Sequence, residues 1–393
     1  MKIALIHDWL TGMRGGERCL EVFCELFPEA DLYTLLHIKG KTSGTIEGMR
    51  VRTSFIQNLP FAAKKYRYYL PLFPMAIEQF NLRGYDLVLS SSHCVAKGVI
   101  TPPDTCHIAY IHSPMRYGWD LYHEYFGPHR TGWLVRKIIP LFVNYLRMWD
   151  VTSSHRVDYF IANSINIAGK IKKYYGREAE VIYPPVETDL FRPLNEDGDY
   201  YLVVSAFAPY KRIDLAIQAF NRLGFPLKVV GGGQEERRLK SMAGPSIEFL
   251  GWVSDKELVS LYARCKALVF PGEEDFGIVP LEAMACGRAV IAYGRGGTVE
   301  TVIPVQGSRF KVQGSQLTVD SSQMGEEGPT GVFFYEQTPE ALMEAVKNFE
   351  KNAYIFDKVK TREHALRFDR RVFKDRIKDF IVEKYEEFKK SKK

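Results

Sequence analysis

At 393 residues the chain is too long for one ordinary core, and length alone suggests about two or three domains. Its 46% hydrophobic and 25% charged residues are those of a folded soluble protein, which argues against disordered and fibrous classes. The balance of 53 basic against 47 acidic residues, net +6, argues by itself neither for nor against nucleic acid. No apolar run reaches the roughly 18 residues a membrane helix needs. Met1-Lys2-Ile3-Ala4-Leu5-Ile6-His7-Asp8 turns polar too early for a signal peptide. The six cysteines are scattered without a C-x-x-C pair, and are expected to be reduced, cytosolic and free of zinc.

In chain order, 2–6 reads as an apolar strand, Thr11-Gly12-Met13-Arg14-Gly15-Gly16 as a glycine loop, and 17–27 as a helix with Leu20, Phe23, Cys24 and Phe27 on one face. Strand, glycine loop, helix opens a doubly wound nucleotide-binding domain. The loop lacks a full G-x-G-x-x-G, so it is either a ligand approach or a tight packing turn. Strands are expected at 31–36 and 85–90. Between them, 58–80 interleaves Lys64, Lys65 and Arg67 with Phe61, Tyr66, Tyr68, Tyr69 and Phe73, which suits a membrane interface. RNA binding and a solvated helix face are the alternatives. Segment 133–149 is an interfacial or a core helix. His112 falls at the carboxyl end of the strand before Ser113-Pro114, where such sheets place ligands. Further strands follow at 157–162 and 181–186, the latter broken by Pro184-Pro185.

A second alternation begins at Tyr200. Strands are expected at 201–205, 227–230, 247–253, 267–270 and 289–292, with helices at 213–223 and 255–265 between them. Pro271-Gly272 ends the strand at Phe270, and a helix runs from Ile278 to a C-cap at Gly287. Glu274 precedes that helix and Glu282 lies one turn into it. The helix amides between them favour an anion. Segment 304–329 reads as an inserted loop. A strand at 330–334, a helix at 339–349 and a charged terminal helix complete the chain. The expected domains are 1–186 with a returning helix at about 372–393, and 187–371.

Two such domains put Glu274, Glu282, Lys211 and Arg212 on one side and Gly15, Gly16 and His112 on the other. Cations with helix amides suit a diphosphate leaving group, and flanking carboxylates suit sugar hydroxyls. No acidic pair stands where a divalent metal would be expected, so cations would neutralise the leaving phosphate.

Glu274-x-Phe276-Gly277 with Glu282 resembles the E-x7-E signature of the group 1, or family 4, retaining glycosyltransferases of GT-B fold. Gly15-Gly16-Glu17-Arg18, Tyr110-x-His112-x-Pro114, Ile182-Tyr183-Pro184-Pro185-Val186, Pro209-Tyr210-Lys211-Arg212-Ile213-Asp214, Gly296-Gly297-x-x-Glu300 and Thr330-Gly331 resemble further family motifs in order. The pattern is most similar to bacterial mannosyltransferases of O-antigen and exopolysaccharide assembly. The resemblance implies an α/β, GT-B fold: two Rossmann-like domains facing across a cleft, with the C-terminal helix packing back on the first.

It also implies roles. Glu274 would bind donor-sugar hydroxyls, and the amides of Phe276, Gly277, Ile278 and Val279 the diphosphate. Glu282 would bind the ribose, and Gly251, Trp252 and Val253 would lie by the base. Lys211, helped by Arg212, would balance leaving-group charge, His112 would sit at the reacting centre, and Gly15 and Gly16 would admit the donor phosphates. The family often has arginine five residues before the lysine; here it is Ala206. The implied reaction is retaining, metal-independent transfer of a hexose, mannose from GDP-mannose, to a glycan or polyprenyl-diphosphate-linked acceptor, without a cofactor. The expected setting is cytoplasmic and peripheral on the inner membrane face through 58–80, with no nucleic acid partner. A UDP-sugar donor, an epimerase or phosphorylase on the same architecture, and a non-catalytic sugar-nucleotide-binding protein are the rivals.

Overall fold

A computed structural model describes residues 1–120, 122, 133–305 and 328–392. The expected insertion at 304–329 therefore lies mostly outside the described residues. The chain divides into two units, Met1–Pro185 with Arg371–Lys393, and Val186–Arg370.

The first unit is built on β1 (Ile3–His7), α1 (Gly15–Leu26), β2 (Asp31–Thr34), β3 (Arg50–Thr53), β4 (Leu87–Ser92), β5 (Cys106–Ile111), α2 (Trp133–Ser154), β6 (Tyr159–Ala162), α3 (Ile165–Tyr175) and β7 (Glu180–Val181). Its strands form one parallel sheet in the order β3-β2-β1-β4-β5-β6-β7. Strands β1, β4 and β5 are buried along their whole length, as central strands covered on both faces require. The chain runs outward from β1 through β2 to β3, then returns to place β4 on the other side of β1. The β1/β4 junction is thus a topological switch point, and ligands of such sheets bind beyond the strand ends there.

Segment 58–80 folds as short helical turns. Tyr66, Phe73, Ala76 and Ile77 are core residues, and Trp9 packs on the Tyr66 and Phe73 rings at 5.2 and 5.9 Å. Two of the five aromatic residues read as interfacial, Tyr66 and Phe73, are therefore spent on the core, while Phe61 and Tyr68 stay 75% and 80% exposed. Helix α2 is two-faced. Val143, Leu146 and Trp149 are buried, and Lys97 Nζ anchors the helix through the Asp150 carbonyl at 2.6 Å and the Ser153 hydroxyl at 2.9 Å. On its other side Ile138, Leu141, Phe142, Tyr145 and Met148 are exposed.

The second unit contains β8 (Tyr201–Val204), α4 (Ile213–Leu223), β9 (Leu227–Val230), β10 (Ile247–Gly251), α5 (Asp255–Arg264), β11 (Ala267–Phe270), α6 (Ile278–Ala285), β12 (Ala289–Tyr293), β13 (Gly331–Phe334), α7 (Pro339–Asn352) and α8 (Lys358–Leu366). Its parallel sheet has the order β10-β9-β8-β11-β12-β13, with a switch point between β8 and β11. Helix α4 begins where the chain leaves the β8 loop and ends at Gly224, whose φ of +71° closes the C-terminus. Helix α5 starts with a reciprocal Ser254/Glu257 capping box.

Strand 181–186 shrinks to β7, because Pro184 and Pro185 cannot donate to a ladder. The last helix, α9 (Arg370–Ser391), belongs to the first unit apart from its first residue. Phe373, Ile377, Ile381 and Phe388 join Leu5, Phe23 and Tyr110 in one core, with Phe23 and Phe373 stacked at 5.9 Å. Burying each such side chain is worth about 1.5–3 kcal/mol, enough to hold a charged helix in place.

Candidate active site

In the second unit the switch point gathers two loops. One follows β8 and carries Lys211 and Arg212; the other follows β11 and carries Pro271, Gly272 and Glu274. Between the strand ends lies a small crevice lined by Ser205, Lys211, Phe270, Pro271 and Gly272. The loops touch through backbone: a Cβ on Gly272 would stand 2.9 Å from Lys211 Cα. Lys211 Nζ and Glu274 Oε1 form an ion pair, with side chains only 17% and 11% exposed.

A third loop, after β12, holds Glu274 from behind. Glu274 and Gly296 form an isolated parallel bridge, and the Gly297 N–H donates to the Glu274 carbonyl at 2.8 Å. A Cβ on Gly297 would fall 2.3 Å from Phe276 Cα, so only glycine admits the 274–276 backbone here. These glycines, read from the sequence only as motif markers, are the physical support of the acidic loop.

Helix α6 starts at Gly277, whose φ of +87° few other residues tolerate, and no side chain caps it. Pro280 has no N–H, so the Ile278 and Val279 amides carry the positive end of this helix. Phe276 is 4% exposed and packs 6.1 Å from the Phe368 ring. Glu282 is 5% exposed, and its Oε2 accepts from the Tyr262 hydroxyl at 2.9 Å. Arg362 fixes the far end of α6 by donating to the Ala285 carbonyl at 2.6 Å and the Phe191 carbonyl at 2.7 Å.

Arg212, expected to assist Lys211, sits at φ +51° in the N-cap position of α4, with no capping bond from its side chain. Its guanidinium donates to Gln337 Oε1 at 3.1 Å and lies 3.5 Å from Asp214, while Gln337 donates to the Pro271 carbonyl at 3.1 Å. Arg212 therefore braces the Pro271 turn. Ala206 is exposed on the same loop. At the end of β10, Gly251 takes φ +67° and its carbonyl accepts from Gly231 at 2.8 Å. Trp252 is 81% exposed, and Val253 is half-buried.

In the first unit the switch point holds a buried polar cluster that the sequence reading found only in part. Gly15 and Gly16 open α1, and Gly16 lies beside the His112 and His7 rings, where a Cβ would be 3.6 Å from each. His112 Nε2 hydrogen-bonds Ser91 Oγ at 2.8 Å, and Ser91 Oγ meets His7 Nδ1 at 3.0 Å. His7 Nε2 is 4.0 Å from Glu17 Oε1. Burial holds His7 and His93 down at about 3, and holds His112 well below the usual histidine range. Burial pushes Glu17 up to about 7. Asp8 accepts N–H bonds from His93, Cys94, Val95 and Ala96 at 2.6–3.0 Å and so fixes the turn after β4. The signal for these residues is polar side chains at the carboxyl ends of otherwise apolar strands.

Residues 187–366, nearly the whole second unit, match the family described as glycosyl transferases group 1. The second unit is thus similar to the group 1 glycosyltransferases. An uncharacterized glycosyltransferase of Methanocaldococcus jannaschii is 35% identical over 153 residues, 37% of this chain and 43% of that protein. The O-antigen chain mannosyltransferase C of Escherichia coli is 28% identical over 154 residues, 35% of this chain and 42% of that protein. The chain thus matches less than half the length of these relatives. HepE of Anabaena, solved in complex with UDP, superposes with a TM-score of 0.69 at 17% identity, over 98% of this chain and 100% of that one. The chain shares the GT-B fold with it. The six cysteines are buried and none forms a disulfide. No helix among the described residues is long and apolar enough to cross a membrane.

Proposed function

We propose that the protein is a retaining hexosyltransferase that moves mannose from GDP-mannose to a lipid-linked or oligosaccharide acceptor in bacterial surface polysaccharide synthesis. The observation that carries this reading is the switch point of the second unit, where Lys211, Glu274 and the uncapped start of α6 stand together. A diphosphate suits Lys211 and the Ile278 and Val279 amides, and a sugar suits the Glu274 carboxylate. The mannosyltransferase among the relatives supports the hexose.

In the proposed reaction the bond between the sugar anomeric carbon and the diphosphate oxygen breaks. The acceptor hydroxyl attacks from the same face, and its proton passes to the departing phosphate oxygen. Lys211 and the helix amides take up the charge that builds there, without a metal or cofactor. Neither Glu274, paired with Lys211, nor Glu282, paired with Tyr262, is needed as nucleophile or base. The motif resemblance assigns His112 to the reacting centre.

A UDP-sugar donor is the second reading, favoured by the UDP bound to HepE. Base recognition near Gly251, Trp252 and Val253 would decide between them. We place the protein at the cytoplasmic membrane face. The exposed Phe61 and Tyr68 near Lys64, Lys65 and Arg67, and the exposed apolar stripe of α2, support this.

The test is transfer by the purified protein from a panel of GDP- and UDP-sugars to lipid-linked acceptors, with the product's anomeric configuration read by NMR. Retained configuration and preference for GDP-mannose are expected. Inversion sinks the mechanism, and donor conversion without acceptor turns the reading to an epimerase.

A further inference from the structure

We propose that Glu17, acting through His7 and Ser91, sets which ring nitrogen of His112 carries its proton. Glu17, His7 and Ser91 are then positioning residues for the transfer proposed above, and their role in the reaction rests on that reading.

Strand register builds the relay. β1 and β4 pair His7 with Ser91, and β4 and β5 pair Ser91 with Tyr110, two residues before His112. The Ser91 hydroxyl bridges the two rings, 3.0 Å from His7 Nδ1 and 2.8 Å from His112 Nε2. A hydroxyl has one proton, so Ser91 donates to one ring and accepts from the other. The tautomers of His7 and His112 are therefore tied together.

Glu17 breaks the symmetry. His7 Nε2 is buried without a hydrogen-bond partner among the described residues, and the Glu17 carboxyl is the group facing it, at 4.0 Å. That separation is too long for a hydrogen bond but short for a buried electrostatic contact. An ionised Glu17 favours Nε2–H on His7. Ser91 then donates to His7 Nδ1, His112 donates Nε2–H to Ser91, and His112 Nδ1 keeps its lone pair. A protonated Glu17 removes that bias and admits the reverse chain, in which His112 Nδ1 carries the proton. His112 thus offers an acceptor in one state and a donor in the other.

Other charged and titratable groups among the described residues also face this cluster. Asp8 and Arg14 act on Glu17, His93 and Asp8 on His7, and His93, His7 and Arg116 on His112. His93 is itself held 3.1 Å from Asp8. Burial pushes Glu17 up to about 7, so the switch falls near neutral pH, while burial keeps the histidines neutral there.

The test is long-range proton–nitrogen NMR of the histidine rings in the intact protein. In the wild type, His7 and His112 should shift together toward their Nε2–H forms as pH rises through about 7. In Glu17→Gln this pH response should vanish. In Ser91→Ala His7 should still respond while His112 does not. A wild-type His112 tautomer that is constant across this range overturns the proposal, as does an unchanged response in Ser91→Ala. With the donor and acceptor present, the pH profile of kcat should show an inflexion near 7 that Glu17→Gln loses. Absence of any transfer would count against the proposed function and leave the NMR result to judge the relay. Transfer with a fixed tautomer would sink the relay alone.

Discussion

Lys211 and Glu274, carried by loops after two neighbouring strands, form an ion pair beside the uncapped start of α6. In the proposed reaction each is the other's counter-charge until a donor brings its own diphosphate and hydroxyls. Lys211→Ala and Glu274→Gln should each lower kcat roughly 10²–10³-fold, the range for losing one preorganised group. Because the two act as a unit, the double variant should lose little more than either single one. Steady-state transfer assays decide this. Losses that multiply would show two independent groups.

Tyr262 should report on Glu282. Its hydroxyl is fully buried and donates to the carboxylate at 2.9 Å. Tyr262→Phe leaves a buried acceptor short of one donor, at about 1–3 kcal/mol. Thermal unfolding should show lower stability, and isothermal calorimetry a weaker nucleotide affinity. An unchanged nucleotide Kd would remove Glu282 from the binding site.

The glycines separate packing from ligand access. At Gly297 a Cβ would meet Phe276 Cα at 2.3 Å, so Gly297→Ala must displace the 274–276 loop and should lower both melting temperature and donor affinity. At Gly16 the nearest atoms would be 3.6 Å away, an ordinary contact. Gly16→Ala should therefore leave the melting temperature nearly unchanged while turnover falls, because the added methyl occupies space proposed for donor phosphates. Full activity in Gly16→Ala would remove the glycine loop from the site.

The doubly wound pattern was legible because central parallel strands are apolar runs punctuated by turn residues, as 267–272 shows. Lys211, Glu274 and the start of α6 were legible from their place at strand ends. The His7–Ser91–Glu17 chain was not: it depends on the register between β1 and β4, which sequence spacing does not encode. The bracing of Arg212 by Gln337 joins residues 125 apart in sequence, and local pattern carries no trace of it. In the segment 58–80 the sequence could not tell the core rings Tyr66 and Phe73 from the exposed Phe61 and Tyr68, because both have the same composition signature.

Stability should fall on acidification. His7, His93 and His107 are held neutral in the folded state down to about 3, against an ordinary value of 6.5. The unfolded chain binds their protons first, so each contribution is complete above pH 6.5 and drains away as pH falls toward 3, at about 1.4 kcal/mol per pH unit. Glu17 works in the opposite direction. Raised from 4.5 to about 7, it imposes no penalty below its unfolded value and its full penalty above 7. Urea unfolding between about pH 5 and 8 should thus show Glu17→Gln more stable than wild type at the alkaline end, with the gain shrinking toward the acid end. A constant difference across the range would show that Glu17 does not titrate in this window.

Membrane contact is testable on the exposed stripe of α2. Leu141 and Phe142 are 73% and 46% exposed, so replacing both with glutamate should leave the melting temperature almost unchanged. Sedimentation with vesicles rich in anionic lipid should nevertheless drop by about tenfold or more, since apolar burial is lost and like charge is added. Replacing Lys64, Lys65 and Arg67 with glutamine should weaken binding by about 1 kcal/mol per residue, and only at low salt, where the lipid charge is unscreened. Vesicle binding equal to wild type in both variants would place the protein away from the bilayer and leave the α2 stripe to another partner.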